Sequence, residues 1–328
     1  MSFQSIGIIG GGAWGTALAQ VAAAGGETIL WAREPEVVEA VNRRHENESF
    51  LPGLRLDPAI RATTELGALA GCDALLVVTP AQHMRGVLAS LGASGTPLVL
   101  CAKGIEEPNA KLMHEVAREE QPNSPLAVLS GPTFADEVAK GLPTALTLAV
   151  EDRDLGEALR TRLARPAFRP YLSDDIVGAE IGGAVKNVLA IACGVVEGSG
   201  LGQNARAALI SRGFAEMTRF GLAKGGRAET LAGLSGLGDL VLTCSSSSSR
   251  NFSLGMGLGQ GRSAAELLSD RKTVAEGAYT APVLKRAADA AGVDMPIVGA
   301  VCALLSGELS VVEVVERLLA RPLRSEGH

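Results

Sequence analysis

Aromatic residues are scarce in this chain: Phe, Tyr and Trp make up 3% of its 328 residues. Any core must therefore be packed from Ala, Val, Leu and Ile. The five cysteines stand far apart, at 72, 101, 193, 244 and 302, with no C-x-x-C and no His pair nearby. That spacing offers no zinc or other metal site and reads as reduced thiols, as expected of a cytoplasmic protein. Positive charge is not in excess either. A net charge of −6 and a pI near 5.4 argue against a nucleic-acid partner, so a phosphorylated ligand must meet local cations. The longest apolar stretch, 181–196, carries Lys186 and Asn187 in its middle and does not read as a membrane span. The N-terminus reads as a strand with no basic leader, so no signal peptide is expected. With 47% hydrophobic residues over 328 positions, two domains are expected rather than one.

What the chain does have is glycine at its start. Ile6-Gly7-Ile8-Ile9 is a short, β-branched apolar run that leads into Gly10-Gly11-Gly12-Ala13-Trp14-Gly15. Residues 16–24 then read as a helix stopped by Gly25-Gly26, and 27–31 as a second strand. This is G-x-G-x-x-G inside a βαβ unit, the context the motif requires. Gly10 permits the tight turn, Gly12 lets the backbone approach a pyrophosphate, and Gly15 lets helix and strand pack closely. The N–H groups and dipole at the helix start favour that anion. The end of the second strand selects the nucleotide: an acid there holds the ribose 2′-hydroxyl of NAD, an Arg the 2′-phosphate of NADP. The chain has Arg33 followed by Glu34. NADP(H) is favoured and NAD(H) stays open, as does a merely solvated Arg33.

Continuous apolar runs at 74–78, 98–101, 126–129 and 145–150 read as buried parallel strands, with helical patterns such as 36–41 and 111–119 between some of them. Residues 45–58 read as loop. The alternation specifies a doubly wound parallel sheet, whose ligands sit off the carboxyl ends of its strands. Two such ends carry polar residues. Lys103 follows 98–101, placing an ammonium beside the expected crevice or serving as an ordinary surface lysine. Gly131 and Thr133 follow 126–129 and offer a backbone N–H and a hydroxyl, or simply a turn capping a helix at 134–140.

From Gly178 the pattern is mostly helical, which sets a Rossmann-type domain at 1–178 and an all-α domain at 179–328. In 180–197, Ile181, Val185, Val188, Ala192 and Val195 form an apolar stripe. Gly182, Gly183, Lys186, Ala190, Cys193 and Gly194 lie toward another side, nearly all small. Small residues let another group approach, and a lone ammonium among them is costly unless paired or needed. Asn187 lies beside it. A second long helix spans 204–224. Asp239 is either a helix N-cap or a carboxylate partner for Lys186. The serines at 245–249 would suit a linker, but Arg250-Asn251 opens structured sequence directly after them. That suits an ordered loop holding a phosphate-binding guanidinium.

Taken together, Gly10–Ala19, Lys103-Gly104-Ile105-Glu106, Gly131-Pro132-Thr133-Phe134-Ala135, Ile181–Asn187, Gly238-Asp239-Leu240 and Ser249-Arg250-Asn251 resemble the bacterial-type NAD(P)-dependent glycerol-3-phosphate dehydrogenases along essentially the whole chain. The resemblance implies reversible reduction of dihydroxyacetone phosphate to sn-glycerol 3-phosphate, feeding glycerophospholipid synthesis. It implies that Lys186 is the catalytic lysine and Asp239 its supporting carboxylate and a substrate contact. Lys103, Gly131, Thr133, Ser249, Arg250 and Asn251 match substrate-contact positions. Trp14, Arg33, Lys103, Ala135, Arg250, Val274 and Glu276 match cofactor contacts, the last two closing over the nucleotide. Members of the family often carry Ser where this chain has Thr133. The expected partner is therefore a small phosphorylated ketone or alcohol, with no metal, no nucleic acid and no membrane insertion expected, and a homodimer stays open. The alternative is a related two-domain NADP-dependent dehydrogenase of a hydroxy acid or a phosphogluconate-like substrate.

Overall fold

The computed structural model describes residues 3–107, 109–269 and 275–322. The first half alternates strands with helices: β1 (Ser5–Ile9), α1 (Ala13–Ala23), β2 (Glu27–Trp31), α2 (Pro35–Arg44), β3 (Ile60–Thr63), β4 (Ala74–Val77), α3 (Ala81–Ala89), β5 (Leu98–Leu100), α4 (Met113–Glu120), β6 (Leu126–Ser130), α5 (Ala135–Ala139), β7 (Thr144–Val150), α6 (Arg153–Leu163) and β8 (Phe168–Ser173). The strands form one sheet in the order β3-β2-β1-β4-β5-β6-β7-β8. From β3 to β6 all neighbours are parallel. Helices cover both faces. One face packs Leu18 and Ala22 of α1 with Leu155 and Leu159 of α6, and the other packs Met84 and Leu88 of α3 with Met113 and Val116 of α4.

The sheet departs from the expected pattern at its ends. The strand expected at 145–150 runs antiparallel to β6, with Ser130 opposite Thr147, and pairs in parallel with β8. Neither β3 nor β8 carries a continuous apolar run: Arg61 interrupts one, and Arg169 and Pro170 the other. Both are edge strands, where one unpaired side tolerates Pro and polar residues.

The reversal at β7 and β8 has a topological consequence. β8 ends at the edge of the sheet opposite the carboxyl ends of β1 to β6, so the next helix can start there and run back toward them. That helix is α7 (Ile176–Gly198), capped by Asp175, whose Oδ1 accepts the Gly178 N–H at 2.8 Å. Its first turn packs Ile176 and Ala179 with Leu98, Leu100 and Val128. Seven residues on, Gly183 faces Ser130 and Lys103 at the crevice. By length and mean hydropathy, 1.5, α7 could cross a membrane, but 94% of its apolar window is buried inside this fold. It is the axis of the second half.

Around it stand α8 (Gln203–Ala223), α9 (Ala228–Ala232), α10 (Asp239–Cys244), α11 (Arg250–Gly259), α12 (Ala264–Leu267), α13 (Glu276–Ala290), α14 (Pro296–Ser306) and α15 (Val311–Leu319). Their shared core includes Val185, Val188, Leu189, Met217, Phe220, Leu284 and Val298. The small residues of α7 are used for close approach. A Cβ on Gly194 would sit 2.0 Å from the Phe252 carbonyl oxygen, and one on Gly255 of α11 would sit 2.0 Å from that of Ile191. Glycine on both helices therefore lets α11 lie against α7 backbone to backbone, which fixes where the start of α11 falls.

Candidate active site

The carboxyl ends of β1, β4, β5 and β6 lie side by side in the sheet; α1 starts from the first, and α7 and α10 reach the last two. At the first of these ends the backbone turns through Gly10, whose φ of +127° is in the region that favours glycine. A Cβ on Gly15 would come 1.8 Å from the Gly10 carbonyl oxygen, whereas one on Gly12 would meet nothing within 4 Å. The turn is thus closed on its inner side and open in front of Gly12. No side chain caps the N-terminus of α1, so its first N–H groups remain available to an anion. The indole Nε1 of Trp14 in this first turn is buried without a partner among the described residues. Arg33 stands just past the end of β2, largely exposed and paired with Glu34 at 3.0 Å. An open glycine turn, an uncapped helix start and an exposed guanidinium one strand away are what a phosphorylated dinucleotide requires, so these residues fit the group.

Across the crevice, two lysines share one carboxylate. Asp239 opens α10 and is fully buried. Its Oδ1 accepts from Lys186 Nζ at 2.6 Å and its Oδ2 from Lys103 Nζ at 2.7 Å. The partner role, not the N-cap role, is therefore the one its side chain takes, since no side chain caps α10. Lys103 Nζ also donates to the Gly131 carbonyl at 2.9 Å and lies 3.5 Å from Thr133 Oγ1. Thr133 in turn donates to Gly131 at 3.1 Å, while Ala135 begins α5 beyond it. The residues after β5 and β6 and those of α7 and α10 are thereby one hydrogen-bonded group. Burial pulls the Lys186 amine down to about 8; the charge of Asp239 opposes that fall and the charge of Lys103 adds to it. An ammonium poised near neutral pH can both donate and recover a proton.

The close α7–α11 contact delivers the third cation. Ser249 caps α11, its hydroxyl accepting the Phe252 N–H at 3.3 Å. Arg250 follows, exposed at the helix start, and the preceding serines form an ordered turn in which Ser253 Oγ donates to the Ser247 carbonyl at 2.8 Å. Asn251 is buried and already engaged. Its Nδ2 donates to Asn187 Oδ1 at 3.1 Å and its Oδ1 accepts the Gly277 N–H at 2.9 Å. Asn187 donates onward to the Lys103 carbonyl at 3.2 Å. This amide relay ties both halves of the chain to the start of α13. There Glu276 accepts the Ala81 N–H and faces the charge of Arg250, although burial raises its carboxyl above the usual range. Val274 lies outside the described residues.

Thr243 belongs to the same cluster and was not singled out from sequence. Its hydroxyl accepts from Lys186 Nζ at 2.9 Å and donates to Asp239 Oδ1 at 3.3 Å. The signal was present, because Asp239 and Thr243 stand four apart on one helix and so share a face. The Ser130 and Thr79 hydroxyls, at the ends of β6 and β4, are buried without a partner among the described residues. No group of three metal-ligating side chains occurs among the described residues.

Comparison with known proteins agrees along the whole chain. The model for the N-terminus of NAD-dependent glycerol-3-phosphate dehydrogenase matches residues 5–156, and that for the C-terminus matches 175–316. A glycerol-3-phosphate dehydrogenase [NAD(P)+] of Erythrobacter litoralis is 64% identical over 98% of this chain and 97% of its own. That of Zymomonas mobilis is 56% identical over 99% and 95%. The crystal structure of glycerol-3-phosphate dehydrogenase from Coxiella burnetii superposes with a TM-score of 0.92 at 38% identity, over 97% of this chain and 99% of that one.

Proposed function

The chain belongs to the NAD-dependent glycerol-3-phosphate dehydrogenases, and from that premise we propose how its residues carry out the NAD(P)H-dependent interconversion of dihydroxyacetone phosphate and sn-glycerol 3-phosphate. The observation that carries the reading is the buried Lys186–Asp239–Lys103 group, which sits at the same carboxyl edge of the parallel strands as the glycine turn. When bound, the reduced nicotinamide supplies a hydride to the ketone carbon. Negative charge then develops on the carbonyl oxygen. Lys186 stabilises that charge and donates the proton that makes the alcohol; in the oxidative direction its neutral amine takes the proton back.

The neighbouring groups set Lys186 up for this. Asp239 and Thr243 hold Nζ in place, and Asp239 keeps enough negative charge close by to retain a proton near neutral pH. Arg250 and Lys103 bind the phosphate, Arg250 through a two-pronged guanidinium contact. Gly131, Thr133, Ser249 and Asn251 line the same rim. Binding energy from the phosphate is thereby converted into orientation at the carbonyl. Gly10, Gly12, Gly15, Trp14, Ala135 and Glu276 cradle the dinucleotide, and Arg33 gives NADP(H) the advantage over NAD(H). The chain divides at the start of α7 into a nucleotide domain, 1–178, and a substrate domain, 179–328. The enzyme works in the cytoplasm, where reduced cysteines and a phosphorylated metabolite are at home, and its product feeds glycerophospholipid synthesis.

The test is NADPH oxidation with dihydroxyacetone phosphate and with unphosphorylated dihydroxyacetone, for the wild type and Arg250→Ala. The variant should raise KM for the phosphorylated ketone at least about tenfold, the scale of a lost charge-assisted pair, and leave the poor use of the unphosphorylated ketone as it was. Equal effects on both substrates would remove Arg250 from the phosphate.

A further inference from the structure

The loop between α2 and β3 holds a buried amide that the chemistry above does not use. Asn47 is 1% exposed. Its Nδ2 donates to the Gly11 carbonyl and to Thr16 Oγ1, both at 2.8 Å, and its Oδ1 accepts the Phe50 N–H at 3.2 Å. Thr16, itself fully buried, turns its hydroxyl to the same Gly11 carbonyl at 3.4 Å. Reversing the amide would set Oδ1 against a carbonyl and Nδ2 against an N–H. The contacts therefore admit one orientation.

The carbonyl that Asn47 holds belongs to the glycine turn. Gly11 and Gly12 flank one peptide unit, and with no Cβ on either side that unit can rotate at little steric cost. Something else must fix it. A trans peptide is planar, so its C=O and N–H point in opposite directions. Holding the Gly11 oxygen inward, toward Asn47 and Thr16, turns the Gly12 N–H outward to the open side of the turn.

We propose that Asn47 is a positioning residue for the dinucleotide: it locks the Gly11–Gly12 peptide so that the Gly12 N–H already faces the pyrophosphate before the cofactor arrives. The inference rests on the dehydrogenase reading above and adds the residue that preorganises its cofactor turn. Preorganisation of this kind raises affinity by removing an ordering cost from the binding step. It acts on the dinucleotide and leaves the phosphorylated ketone, which meets Arg250 and Lys103, untouched.

The experiment measures the Kd of NADPH by fluorescence titration for the wild type, Asn47→Ala, Asn47→Asp and Thr16→Val. Amide hydrogen exchange of residues 10–16 is followed without cofactor. Asn47→Asp keeps the shape and the Phe50 contact but replaces both donations with an acceptor. Asn47→Ala and Asn47→Asp are expected to raise Kd about tenfold, the effect of losing about one buried hydrogen-bond anchor. The KM for dihydroxyacetone phosphate at saturating NADPH should stay within about twofold, and exchange should quicken at 10–16 alone. Thr16→Val, nearly isosteric, should raise Kd by about threefold, as for one lost hydroxyl contact, and covers the case in which neither Asn47 variant folds. Wild-type Kd in the folded variants would overturn the proposal. So would a rise shared equally by NADPH and substrate with faster exchange throughout the chain, which marks general loosening. Failure of the wild type itself to bind NADPH would instead overturn the dehydrogenase reading.

Discussion

Asp239→Asn is the most informative perturbation of the reacting group, because it removes one charge and almost no volume. Lys186 Nζ lies 2.6 Å from Asp239 Oδ1. At an effective dielectric constant of about 20, one pair of unit charges at that separation interacts by about 6 kcal/mol, which sets an upper bound. An opposite charge at this range typically moves a pKa by about 1 to 3 pH units. Lys186 starts from about 8, with Asp239 holding it up against burial and against Lys103. In the variant the acidic form should be lost near pH 6, taking about 2 pH units as the central figure. At pH 7.5 the protonated fraction then falls from roughly three-quarters to roughly one in thirty, about a 25-fold loss of rate from protonation alone.

Direction matters as much as size. Ketone reduction needs the protonated amine, so wild-type reduction should fall as pH rises through about 8. Alcohol oxidation needs the neutral amine and should rise through the same region. In Asp239→Asn the reductive limb should move to lower pH, and most of the lost rate should return near pH 5.5. The assay is the pH dependence of kcat for NADPH oxidation with saturating dihydroxyacetone phosphate, for both proteins. A limb left at the wild-type pH, with a loss equal at every pH, would refute the electrostatic role and leave Asp239 a contact only.

Other consequences are open to direct measurement. Arg33→Ala should weaken NADPH binding by about tenfold and leave NADH binding within about twofold, since a guanidinium–phosphate contact is worth roughly 1.5 to 3 kcal/mol and NADH lacks that phosphate; unchanged selectivity in paired titrations would remove Arg33 from the 2′-phosphate. Gly194→Ala places a Cβ 2.0 Å from the Phe252 carbonyl oxygen, a backbone atom that cannot swing aside. It should lower stability by about 1 to 3 kcal/mol and raise KM for dihydroxyacetone phosphate, because α11 carries Arg250. Chemical denaturation and steady-state kinetics check the two effects, and a wild-type KM in the folded variant would dissociate the helix contact from the phosphate site. Asn187→Ala breaks the relay from the Lys103 carbonyl to Asn251. It should speed amide exchange at the start of α13, which mass spectrometry can read peptide by peptide.

The legible parts of the sequence were those in which one local rule decides the outcome. The strand–glycine–helix opening was clear because Gly10, Gly12 and Gly15 carry their own backbone logic. The small face of α7 correctly signalled a close neighbour, and that neighbour is α11, meeting Gly194 through Gly255. Lys186 stood out because an ammonium inside an apolar helix needs a partner, and Asp239 supplies it. What escaped was set by tertiary contact alone. β3 and β8 have no apolar run to announce them, and the antiparallel turn of β7 follows from its pairing with β6, not from its residues. Asn47 lies in a stretch with no periodicity, so only the folded chain brings it beneath the glycine turn. Thr243 was readable by its spacing from Asp239 once the helix was known.

The central claim is that the Lys186 ammonium gives its proton to the oxygen of the ketone being reduced. Lys186→Met keeps the length of the side chain and removes the charge. Single-turnover mixing with NADPH and dihydroxyacetone phosphate, together with titration of NADPH, measures the step and the binding separately. The expected result is NADPH affinity within about threefold of wild type and hydride transfer slowed by about a hundredfold to ten-thousandfold, the usual contribution of a positioned acid. Transfer within about tenfold of the wild-type rate, with both ligands bound, would contradict the account.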